Sequence, residues 1–150
     1  MFFMDHTVSI RRGEGLPTIL IVEDFDDTRL MMKMWLTRHG YRVLEAETGE
    51  EGVAIAQREH PDLIIMDVMM PGMNGLDATQ LIRQDRALRR TPIVAVSAYG
   101  ADEYRSIALE AGCNEYVSTP FEPQSLANLI EVLLSGEPTH VNAQDSDREH

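Results

Sequence analysis

The sequence predicts one doubly wound α/β domain, and three observations lead there. Short apolar runs alternate five times with amphipathic stretches, the pattern of parallel strands joined by right-handed crossovers with helices on both sheet faces. The run from Leu63 to Met66 has no polar interruption, as a strand covered on both faces requires. A chain of 150 residues that is 43 % hydrophobic fills one core and leaves no room for a second domain.

Residues 1–16 have no periodicity, contain Arg11-Arg12 and stop at Pro17, and are read as a flexible leader. Strand 18–22 runs into Glu23-Asp24, and helix 27–39 follows, with Asp26 or Asp27 as its N-cap and Gly40 at its end. On that helix Met31, Met32, Trp35 and Leu36 form the expected core stripe. Leu30 and Met34 point the other way, either onto a neighbouring loop or toward a partner helix, a contact to which methionine adapts well. Strand 42–46 and helix 50–59, capped by Thr48, form the second unit. Strand 63–66 ends on Asp67; the Pro71-Gly72 and Asn74-Gly75 turn signals keep bulk off the backbone beside that acid, and helix 76–85 follows. Strand 92–96 precedes Ser97, and helix 102–111 stops at Gly112. A weak strand, 115–117, and helix 123–134, with Pro123 in its first turn, complete the folded part at 17–134. Residues 135–150 are polar throughout and are read as a disordered tail.

A formal charge of −12 argues against direct nucleic-acid or anionic-membrane binding, leaving proteins and cations as partners. Cys113 has no second cysteine to pair with, so it reads as a small buried hydrophobe in a reducing, cytoplasmic compartment. The Phe2-Phe3-Met4 cluster is too short for a signal peptide, and no apolar run approaches the length of a membrane span.

A nucleotide-binding α/β domain would place a glycine-rich loop after the first strand; here stand Glu23, Asp24, Asp26 and Asp27. In the usual order of small doubly wound sheets the first and third strands are neighbours, so Glu23, Asp24 and Asp67 converge. Three such acids repel one another unless a cation joins them, and magnesium, with its oxygen ligands, fits. The alternative, separate helix-capping acids, explains Asp26 and Asp27 better than Glu23 and Asp24. Asp67, alone after a buried strand, is a candidate nucleophile for an acyl phosphate. Ser97 can donate to a phosphoryl oxygen, and Tyr116 reads as a half-buried core aromatic.

Taken in order, ILIVED, DLIIMDVMMPGMNG, VAVSA and EYVSTPF resemble the receiver domain of bacterial two-component response regulators. The resemblance implies a flavodoxin-like, five-stranded parallel sheet of order 2-1-3-4-5. It also implies that Asp67 accepts a phosphoryl group from a sensor histidine kinase or histidine phosphotransfer protein. Glu23, Asp24, Asp67 and the Met69 backbone carbonyl would hold Mg²⁺, with Mn²⁺ or Ca²⁺ as substitutes in vitro. Ser97 and Tyr116 match the switch pair, and Met69 and Tyr99 match positions that tune acyl-phosphate lifetime. The implied protein is a stand-alone switch rather than a turnover enzyme, a monomer or weak homodimer with an unidentified protein target. One position departs: Thr119 stands where the family has lysine, before the expected Pro120-Phe121. That keeps open a pseudo-receiver that binds partners without phosphorylation. An aspartyl phosphohydrolase resembling the haloacid dehalogenase family would need an acid at Met69.

Overall fold

The computed structural model describes residues 15–98 and 102–136. Most of the expected leader and tail, and Tyr99, lie outside the described residues. The strands are β1 (Thr18–Val22), β2 (Arg42–Ala46), β3 (Leu63–Asp67), β4 (Ile93–Ser97) and β5 (Glu115–Ser118). The helices are α1 (Asp26–Arg38), α2 (Gly49–Glu59), α3 (Gly75–Gln84), α4 (Asp102–Ala111) and α5 (Pro123–Ser135). All strand pairs are parallel, in the order β2-β1-β3-β4-β5. This is the expected flavodoxin-like sheet. A 3-10 turn, Arg86–Leu88, was not anticipated. One compact unit ends at Thr119 and contains the sheet with α1 to α4; a second begins at Pro120 and contains α5.

Because side chains alternate along a strand, β1 and β3 divide their residues between two apolar layers. Leu20, Val22, Ile64 and Met66 join Ala56, Ala78, Ile82 and Ala108 in one cluster. Ile19, Ile21, Leu63 and Ile65, from the alternate positions, are equally buried. Each such side chain contributes roughly 1.5–3 kcal/mol on leaving water. The layers therefore fix β3 in the centre of the sheet, with the β3 C-terminus delivering Asp67 to its edge.

Two expectations for α1 are corrected. Met31 is 68 % exposed and does not belong to the core stripe, which runs through Arg29, Met32 and Leu36. An arginine occupies the first core-facing position because its guanidinium finds polar partners there, and Met31, about 100° further round the helix from Leu30, faces out. The N-cap is Phe25, without a side-chain cap bond, rather than Asp26 or Asp27; both acids sit in the first turn, where the helix dipole favours them. The expected helix ends hold, since Gly40 and Gly112 adopt φ of 92° and 119°. Thr48 caps α2, accepting from the Glu51 N–H at 3.0 Å. Cys113 is buried as expected.

Arg83 organises the end of the unit away from the strand C-termini. Its guanidinium donates to the carbonyls of Gly112 at 2.9 Å, Leu88 at 2.7 Å and Arg89 at 3.2 Å, and to Asn114 Oδ1 at 2.9 Å. Asn114 Oδ1 also accepts the Ile93 N–H at 2.8 Å, so one side chain links α3, the 3-10 turn, α4 and the start of β4. Arg83→Met is expected to lower stability by about 2–3 kcal/mol, since it strands partly buried acceptors. Urea denaturation checks this; a loss below about 0.5 kcal/mol, the range of an ordinary surface change, would show the network to be dispensable.

Candidate metal centre

The register of β1 against β3 pairs Val22 with Met66, so the residues that follow, Glu23 and Asp67, leave the sheet side by side. Asp24 comes next on the same turn. One carboxylate oxygen from each of Glu23, Asp24 and Asp67 falls within 4.8 Å of the others. Glu23 is largely buried, Asp24 exposed and Asp67 between the two. The Phe25 N–H donates to Glu23 Oε2 at 3.0 Å, and the Met69 N–H donates to Asp67 Oδ1 at 3.1 Å. Beyond Asp67 the chain doubles back, with the Gly75 N–H donating to the Val68 carbonyl at 3.1 Å. A Cβ on Gly75 would collide with the Asp67 carbonyl, which is the physical reason for glycine there. Asn74 then caps α3, its Oδ1 accepting from Leu76 and Asp77 at 2.9 Å.

Burial pushes the Asp67 carboxyl up to about 7, and the Glu23 charge adds to the effect against the opposing Met69 N–H. Glu23 is also raised, chiefly by burial. Two carboxylates this close disfavour each other's charge and so favour a bound proton. A divalent cation can take that proton's place. The donor set, three carboxylate oxygens at a partly open strand edge, fits Mg²⁺, which keeps waters and takes few protein ligands.

Ser97 closes β4 and is 2 % exposed. Its carbonyl accepts the Thr119 N–H at 2.8 Å, and the Thr119 hydroxyl lies 3.5 Å from the same atom. Thr119 is thus held at the end of β5 by its backbone. Tyr116 is more deeply buried than expected, at 9 % exposure within the core cluster.

A family model of the response regulator receiver domain matches residues 19–131. The chain belongs to that family. Among its relatives, the Protein PilH of Pseudomonas aeruginosa is 33 % identical over 118 residues, covering 79 % of this chain and 98 % of PilH. The Transcriptional regulatory protein AfsQ1 of Streptomyces coelicolor is 37 % identical over 123 residues, 81 % of this chain but 53 % of AfsQ1; the chain spans about half the length of that relative. The receiver domain of the sensor histidine kinase PA1611 from P. aeruginosa, solved with magnesium coordinated in its active-site cleft, superposes with a TM-score of 0.74 at 33 % identity, covering 79 % of this chain and 97 % of that one. Chemotaxis protein CheY4 of Vibrio cholerae gives 0.74 at 29 % identity, covering 78 % and 98 %. This chain is therefore a two-component receiver, and the hydrolase reading is set aside.

Lys33, the only lysine of the chain, has its Nζ 3.0 Å from the Glu45 carboxylate. Leu30 and Met34 are exposed at 52 % and 51 %, and Met31 and Phe25 join them as exposed apolar residues. The residue that sequence reasoning missed is Arg29. Its Nη1 donates to the Glu23 carbonyl at 2.8 Å. The signal was available: an arginine at a core-facing helix position, three residues after Asp26, needs buried acceptors.

Proposed function

We propose that this receiver accepts a phosphoryl group on Asp67 from the phosphohistidine of a sensor histidine kinase or histidine phosphotransfer protein, in the cytoplasm, and signals by changing its protein contacts. The N–P bond of the donor breaks, an Asp67 O–P bond forms, and the histidine nitrogen takes up a proton; water later cleaves the acyl phosphate. The convergence of Glu23, Asp24 and Asp67 within 4.8 Å carries the reading. These carboxylates and the Met69 backbone carbonyl would hold Mg²⁺, which supplies positive charge for the phosphoryl oxygens. The Ser97 hydroxyl would hydrogen-bond one of those oxygens, Tyr116 would respond to that bond, and Met69 and Tyr99 would tune the lifetime of the acyl phosphate. Leu30 and Met34 would meet the donor. Such a receiver turns over no separate product.

Treating the protein with a small phosphodonor and Mg²⁺, then mapping the adduct by mass spectrometry, tests the reading; modification confined to Asp67 supports it, and none rejects it. Thr119 favours a second reading, a pseudo-receiver that contacts partners without phosphorylation, and the same experiment separates the two. The absent lysine also has a consequence for metal binding. An internal ammonium about 4 Å away would compete with Mg²⁺ by roughly 4 kcal/mol at an effective dielectric of 20, before its own desolvation is subtracted. Thr119→Lys is therefore expected to weaken Mg²⁺ binding about fivefold, after that cost. Titration giving equal or tighter binding would contradict this.

A further inference from the structure

Arg29 is, among the described residues, the only lysine or arginine in the buried class, at 9 % exposure. Three of its contacts go to carboxylates: Asp26 at 2.7 Å, Glu45 at 3.2 Å and Glu47 at 3.6 Å. The fourth is different. Its Nη1 donates to the Glu23 carbonyl at 2.8 Å in a buried bond. That carbonyl belongs to the peptide joining Glu23 to Asp24, so its direction sets where both side chains start. The Glu23 carboxylate is held separately, by the Phe25 N–H at 3.0 Å. Glu23 is thus gripped at both ends, and the rigid planar fork of a guanidinium suits the task because it can satisfy a carbonyl and two carboxylates at once.

We infer that Arg29 is a positioning residue for the metal centre: its guanidinium fixes the Glu23-Asp24 peptide so that both carboxylates meet Asp67 around one cation. The inference rests on the reading of the acidic cluster as a Mg²⁺ site. Its sign distinguishes it from simple electrostatics. A positive charge beside the cluster repels a divalent cation, so a purely coulombic Arg29 would, when removed, leave Mg²⁺ bound more tightly. A positioning Arg29 would leave it bound more weakly, by about tenfold, the lower end of what losing an outer-shell partner costs.

The test is calorimetric titration of Mg²⁺ into wild type, Arg29→Met and Glu45→Gln, with amide hydrogen exchange of metal-free samples. Arg29→Met is expected to bind Mg²⁺ about tenfold more weakly and to exchange the Phe25 amide faster even without metal. Glu45→Gln removes a carboxylate partner but leaves the bond to the Glu23 carbonyl, so it should lower thermal stability with Mg²⁺ affinity unchanged. If Arg29→Met does not fold, Arg29→Lys serves, since one ammonium cannot span the same acceptors and should also bind Mg²⁺ more weakly. Wild type that binds Mg²⁺ while the Arg29 variants bind it equally or more tightly overturns the inference alone. Wild type that binds no Mg²⁺ overturns the metal-site reading and this inference with it.

Discussion

Asp67→Asn is expected to abolish covalent phosphorylation while making the metal-free protein more stable above pH 7. The two effects have one cause. In the folded chain Asp67 is pushed up to about 7, first by burial and then by the Glu23 charge, so ionising it costs free energy that the unfolded chain does not bear. A neutral amide of the same shape removes that repulsion and keeps an acceptor for the Met69 N–H, which donates to Asp67 Oδ1 at 3.1 Å. The amide cannot act as an oxygen nucleophile, so the acyl phosphate has nowhere to form. The gain in stability should be about 1 kcal/mol, typical of relieving strain at a functional site. It should reverse when saturating Mg²⁺ is added to wild type, because the cation cancels the same repulsion and adds its own binding free energy. Thermal melts with chelator and with Mg²⁺, beside phosphodonor labelling, measure both halves. A variant that is less stable than wild type without metal would contradict the account of Asp67, and one that is still labelled would move the acceptor elsewhere.

The pH dependence of the metal-free protein is the second large effect. Asp67 ionises near its ordinary value of 3.8 when unfolded and at about 7 when folded, so between those values the folded state holds a proton that the unfolded state has released. Stability linked to this group is therefore greatest below the unfolded value, falls as pH rises, and is lowest above the folded value. Glu23, raised in the same direction, steepens the fall. The difference between wild type and Asp67→Asn isolates this contribution from other titrating groups. The proposed Mg²⁺ complex uses the deprotonated site, so at a hundredfold excess over its Kd the ion is expected to stabilise wild type by about 2.7 kcal/mol, or roughly 10 °C in Tm for a domain of this size. A wild type minus variant difference that stays flat across the window would remove the bound proton from the account.

Much of this centre is legible in the sequence. Strand periodicity, the uninterrupted run into Asp67, and the Asn74-Gly75 pair all act through contacts within a few residues, so they survive in a linear reading. Gly75 shows how far that goes: the turn signal was local, but the atom that forbids a side chain, the Asp67 carbonyl, lies eight positions back and meets Gly75 only in the folded turn. Met31 shows where local reading fails. Periodicity offered more apolar residues on α1 than one face could bury, and the choice went to the face containing Arg29, because only that face met the Glu23 carbonyl, Glu45 and Glu47. Arg83 escaped notice for the same reason, since its acceptors come from segments that are distant in sequence.

By itself the sequence determined the alternating αβ elements and the acids at the strand ends, since each depends on residue type and short spacing. The tertiary structure decided which carboxylates come together and which side chain donates to the Glu23 carbonyl. It sets β1 beside β3 with Val22 against Met66, and thereby puts Glu23 next to an acid 44 residues away. Burial at that edge, which no local pattern encodes, then makes Asp67 a carboxyl poised near neutrality.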